Sequence, residues 1–130
     1  MHLQYLEKAN KSLEVARWCL ENKYFDDCAN RCYYAVLRSA VAALIAVGIS
    51  WKESSKRMHE WVQAHFPAEC IRRRKIFPAR IASYIADVRY HREIADYSEN
   101  FVSAKTASVL YRKAEEFVTE NRRESLRINA

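Results

Sequence analysis

Glycine occurs once in the 130 residues and proline twice. A chain this poor in turn formers has little room for hairpins, so sheet-rich folds are disfavoured and a few long helices joined by short loops are expected. A long apolar run is also missing. The longest, AVAALIAVGI at 40–49, is about half the length that crosses a bilayer, so it reads as a core helix and no membrane contact is expected. The opening MHLQYLEK lacks a basic segment followed by an apolar one, so no secretory leader is expected and a reducing cytoplasm is the expected compartment. Cys19, Cys28, Cys32 and Cys70 are the cysteines. Cys28 and Cys32 lie four apart on one helix face, but no second Cys or His pair completes a zinc pattern, so buried thiols and no metal are expected. One glycine cannot build a phosphate loop, no HExxH is present, and no Ser or Cys sits in a nucleophile-elbow context. No cofactor is implied.

What is present is ordinary globular material: 50% apolar and 29% charged residues, enough for one domain and too short for two. A single helical domain over 1–120 and a polar tail over 121–130, ENRRESLRINA with Glu120, are expected, the tail fraying. The net charge of +6 is unevenly placed. Between 71 and 92 stand Arg72, Arg73, Arg74, Lys75, Arg80, Arg89 and Arg92 against Asp87 alone. A stretch of this kind favours an anionic partner, unless its charges are only the wet faces of helices.

Leu6, Ala9, Leu13, Ala16 and Leu20 recur at steps of three and four, which predicts a helix from about 2 to 23. A second starts near Asp26 and Asp27, carries Ala29, Cys32, Val36, Ala40, Ala43 and Val47, and stops at Gly48. The link between them, Asn22 to Phe25 or so, makes them antiparallel neighbours. A third and shorter helix is expected from Trp51 to His65, ending before Pro67. A fourth starts near Pro78 and follows Ile81, Ile85 and Val88 up to HREIADY, residues 91–97. Ser103 caps a fifth, with a stripe of Ala107, Leu110, Ala114, Phe117 and Val118. The fold class is therefore all-α: an up-and-down bundle of four long helices plus one short helix.

Two helix faces are polar where a bundle helix should be apolar. Asn30, Tyr34 and Arg38 share one face of the second helix, with Tyr33 and Leu37 beside them, forming an internal network or the border of a cleft. Arg89, Arg92 and Asp96 share one face of the fourth. A guanidinium held by a carboxylate can still offer its fork to a phosphate. His91, about 100° from Arg92 around the helix, is a candidate acid or base.

Residues 5–49, His59 with Trp61, His65 with Phe66, and REIADY at 92–97 resemble the HEPN family (higher eukaryotes and prokaryotes nucleotide-binding domains). The similarity is greatest to the small stand-alone prokaryotic members, whose second helix reads roughly N-R-x-Y-Y-A and whose fourth ends R-x-x-A-D-Y. It reaches about residue 118. The resemblance implies a helical bundle that forms homodimers, often encoded beside a minimal nucleotidyltransferase, many such pairs acting as toxin and antitoxin. Asn30, Tyr33 and Tyr34 match the motif of the second helix, and Arg92, Asp96 and Tyr97 that of the fourth; these would line the family's polar groove. Two departures stand out: Leu37 and Arg38 occupy the place where many relatives carry a His, and none of His2, His59, His65 or His91 follows an Arg by four to six residues, the spacing of the ribonuclease members.

Three functions are compatible with these residues. The first is binding of RNA or nucleotide through the groove and the basic stretch, in a module with a nucleotidyltransferase-like partner. The second is an active metal-independent toxin ribonuclease with a non-standard centre of Arg92, His91 and Asp96. The third is a protein-interaction module that involves no nucleic acid.

Overall fold

The computed structural model describes residues 1–49 and 57–128. Helix α1 runs His2–Glu21, α2 Phe25–Ala46, α3 Met58–Phe66, α4 Ala79–Tyr97 and α5 Ala104–Ile128, with a π-helical turn, Pro67–Arg73, continuing α3. No strand occurs among the described residues. The architecture is an all-α bundle of four long helices and one short helix.

Helix α2 is the axis of the bundle. Its expected stripe of Ala29, Cys32, Val36, Ala40 and Ala43 is buried, but so are Ala35, Leu37, Ser39 and Ala42 on its other faces. A helix apolar nearly all round has to sit inside, and α1, α4 and α5 all pack against it. The small residues of this helix let those neighbours approach closely. At its start Asp26 turns its carboxylate to the partner loop, where Oδ1 accepts the Val102 backbone N–H at 2.8 Å. At its end Gly48, with φ +91°, takes the left-handed conformation that stops the helix. Arg74 reaches the same end and donates to the Val47 carbonyl at 3.3 Å, a cation on a helix C-terminus.

Part of the expected third helix, residues 51–56, lies outside the described residues; the remainder is α3. Pro67 does not end the helical path as expected. The backbone continues past it by widening to i→i−5 bonds, seen in Arg74 N–H to Glu69 O at 3.1 Å. A π turn has a looser register than an α-helix and so absorbs a residue that has no N–H to give. The turn keeps Cys70 in the core, where Phe66, Phe77 and Phe117 also meet: Phe66 stacks on Phe77 at 5.5 Å and packs on Phe117 at 5.4 Å.

The tail expected from residue 121 is a continuation of α5 to Ile128. Asn121 is fully buried and its Nδ2 donates to Ser39 Oγ on α2 at 3.0 Å. Ser103 caps α5 as expected, its Oγ accepting the Thr106 N–H at 3.1 Å. All four cysteines are free and buried. Burial pushes the Cys70 thiol up to about 12. Among the described residues no helix is long and apolar enough to cross a membrane, and no three His, Cys, Asp or Glu side chains group as a metal site.

Candidate functional site around Arg92

Arg92 follows Ile81, Ile85 and Val88 on α4 at steps of four, three and four, so the helix turns it inward with them. It is 8% exposed. A buried guanidinium needs partners for its charge and for its five N–H groups, and here it has few. Nη1 lies 3.6 Å from Asp96 Oδ2 and 3.4 Å from the Tyr97 hydroxyl, and Nε is buried with no partner among the described residues. Much of the remaining support is aromatic. The guanidinium carbon sits 4.7 Å from the centroid of Tyr33 and 5.6 Å from that of Tyr97.

The residues around it come from three helices. From α2, Asn30 Nδ2 donates to Asp96 Oδ2 at 2.9 Å, while its Oδ1 accepts from Arg31 Nε at 2.9 Å. Asp96 is therefore held from both sides, by Asn30 and by Arg92. Tyr33 is fully buried and its hydroxyl has no partner among the described residues. From α3 comes His59, whose ring stacks on Tyr33 at 5.3 Å and 25°, with Nδ1 buried and likewise unpartnered. Three polar groups, Arg92 Nε, Tyr33 OH and His59 Nδ1, are thus buried and unsatisfied around one aromatic ring. Buried polar atoms are rarely left this way, and each costs about 1–3 kcal/mol.

His59 is the member that the periodicity and motif reading did not pick as a site residue. Burial, then the charges of Arg92 and Arg89, hold its pKa below the usual 6.5, against the opposing pull of Glu60 and Glu93. The consequence for stability has a definite sign. Above about pH 6.5 the imidazole is neutral in folded and unfolded chains alike; below it the unfolded chain takes up a proton that the folded one resists. Stability is expected to fall as pH drops from about 7.5 through 6.5 toward the lowered native value. Urea unfolding of wild type and His59→Gln at a series of pH values checks this; parallel curves would exclude the assignment.

The remaining candidates lie elsewhere. His91 is turned about 100° around α4 from Arg92, edge-on to Tyr90 at 5.0 Å and lining a cavity against α5. The structure therefore does not bring His91 together with Arg92 and Asp96. Arg38 donates to Ser12 on α1 at 2.7 Å and lies over the ring of Tyr34, which Arg31 also covers. Tyr34 meets the site through its edge contact with Tyr33 at 5.2 Å. Arg89 is occupied by Glu93 at 3.3 Å and by Gln63.

Most of the basic stretch is paired with carboxylates. Arg74 and Arg73 share Glu69 at 2.7 and 3.1 Å, which holds that carboxyl below its usual range. Arg80 pairs with Glu116 of α5 at 2.8 Å. With Arg89 on Glu93 and Arg92 on Asp96, five of the seven cations have a carboxylate within 4 Å. Arg72 and Lys75 remain exposed.

Two comparisons bear on this geometry. A protein of Methanocaldococcus jannaschii named "Putative toxin MJ0142" is 25% identical over 119 residues, which cover 91% of this chain and 77% of that protein. The model of the HEPN domain matches residues 3–124, a span that contains Asn30, Tyr33, His59, Arg92, Asp96 and Tyr97. By that match over most of its length, the chain belongs to the HEPN domain family.

Proposed function

We propose that the protein binds RNA at the Arg92 site and works as the toxin-type HEPN component of a two-part cytoplasmic module, as a homodimer with a nucleotidyltransferase-like partner. One observation carries the RNA reading: a buried guanidinium with an unpartnered Nε, caged by Tyr33 and Tyr97 rather than neutralised at close range. An RNA phosphate meeting the part of the guanidinium that stays exposed supplies an acceptor and a countercharge together. Tyr97, 78% exposed beside it, offers a face on which a base can stack. The name of the archaeal relative supports the toxin assignment. A homodimer would close the open side of the site across a two-fold axis.

A second reading, metal-independent cleavage, is favoured by His59. An imidazole kept neutral beside a guanidinium is suited to accept the 2′-hydroxyl proton while Arg92 steadies the charge growing on phosphorus. His91, turned toward α5, is less well placed for that role.

Both readings are tested by incubating purified protein with total RNA and tRNA in chelator, at low and high salt, beside Arg92→Met, His59→Gln and His91→Gln. Retention that weakens with salt and with loss of Arg92 is the expected result. Cleavage abolished in His59→Gln and kept in His91→Gln would establish the second reading. Absence of both retention and cleavage would leave a protein-interaction module.

A further inference from the structure

Helix α4 has a second chemically marked face. Turned about 100° from Arg92, its outer side meets α5 along a cleft of two adjoining cavities, about 400 and 210 Å³, that share Lys113. We propose that this cleft is a second binding site, which holds the phosphates of an RNA strand entering or leaving the Arg92 site. The proposal rests on the RNA reading given above.

The charge of the cleft is the first argument. His91, Lys105, Arg112 and Lys113 line it, and the carboxylates there, Asp87 and Glu116, are already engaged. Asp87 takes Lys113 at 2.7 Å, and Glu116 takes Arg80 at 2.8 Å and the Tyr84 hydroxyl at 2.9 Å. Lys105 and Arg112 are exposed and have no hydrogen bond or ion pair among the described residues. These two cations are therefore free to meet an anion, in contrast to the paired Arg73, Arg74, Arg80 and Arg89.

Extent is the second argument. From Lys105 to Glu116 the α5 wall advances about 16 Å at 1.5 Å per residue, enough for a short run of backbone. A small anion such as a single phosphate would need no such length. Exposed rings are the third. Tyr90, 61% exposed, lies edge-on to the cleft residue His91, and Tyr97, 78% exposed, lies beside Arg92, so a ring is available to a base near each of the two sites. An acidic protein surface would use the cations and leave both rings in water, which is why RNA is the better occupant.

The test is a titration of isotope-labelled full-length protein with a uridine octanucleotide, followed by amide NMR, with octaglutamate as the comparison. Shifts at Lys105, Thr106 and Val109 together with those at Tyr33, Asp96 and Tyr97 are expected. In Lys105→Ala/Arg112→Ala, binding should weaken roughly three- to tenfold, and the slope of log K against log salt should shrink by about 1.4, or 0.7 for each lost phosphate contact. Both replaced side chains are exposed and unbonded, so the fold should be kept, which the spectrum of the free variant verifies. Shifts confined to the Arg92 site, or an unchanged slope, would overturn the cleft and leave the RNA reading standing. Cleft shifts with octaglutamate alone would overturn it in favour of a protein partner. Absence of any shift with the octanucleotide would remove the RNA reading and this proposal with it.

Discussion

Arg92→Met is expected to weaken RNA binding by about 10- to 100-fold and to lower stability only slightly. The loss follows from the value of a charge-assisted hydrogen bond, about 1.5–3 kcal/mol, where about 1.4 kcal/mol is tenfold. The stability follows from the poor pairing of the charge. Arg92 is buried, yet its nearest carboxylate is at 3.6 Å and its Nε has no partner among the described residues. Desolvation of that cation is only partly offset, and Asp96, the carboxylate left behind, is partly exposed and keeps its hydrogen bond from Asn30, so the loss of stability should stay well below that of breaking a fully buried pair. Methionine is flexible enough to fill the slot against Tyr33. Arg92→Lys should recover little, since an ammonium has neither the fork nor the flat face that the two tyrosines hold. Thermal melts and RNA titrations in one buffer check both halves. Affinity and melting temperature falling together would mean that Arg92 holds the fold rather than the ligand.

Apolar periodicity made the bundle legible. The stripes of α1, α2 and α5 placed three long helices, and the short link at 22–25 made the first two a hairpin. What periodicity could not show was a polar residue standing in the apolar phase. His59 precedes Val62, Phe66 and Cys70 at steps of three, four and four, so it lies on the buried stripe of α3 and its continuation. Asn121 and Ser125 extend the stripe of Ala107, Leu110, Ala114 and Val118 in the same way. A reading that ends a stripe at its first polar residue ends α5 too early and misses His59. The phase was there; the ring of Tyr33 and the hydroxyl of Ser39 that these residues meet come from another helix. The pairing of the basic stretch was hidden for a related reason. Charge counted along a window ignores Glu69 just before it, Glu93 and Asp96 just after, and Glu116 a helix away. Of the polar groove implied by the family motifs, the structure brings together Asn30, Tyr33, Arg92, Asp96 and Tyr97, with Tyr34 edge-on to Tyr33 and covered by Arg31 and Arg38.

Phe117→Ala is expected to cost about 3–5 kcal/mol of unfolding free energy, whereas Phe101→Ala should stay within about 0.5 kcal/mol. The substitution is the same and the surroundings are opposite. Phe117 is fully buried and packs on Phe66, which stacks on Phe77, so its removal opens a cavity where α5, α3 and the end of the π turn meet. Phe101 is 88% exposed in the loop before α5 and has little burial to lose. The damage should also reach the site. Phe66 shares the stripe of His59 two turns earlier on α3, and His59 stacks on the ring that supports Arg92. A loosened α3 should let that stack drift, so the surviving folded fraction of Phe117→Ala should bind RNA several-fold more weakly although Phe117 touches no part of the site. Urea unfolding measures the first effect; titration at a temperature where the variant is still folded measures the second. Full affinity in a destabilised variant would show that the Arg92 cage is held by α2 and α4 alone, with α3 contributing only His59.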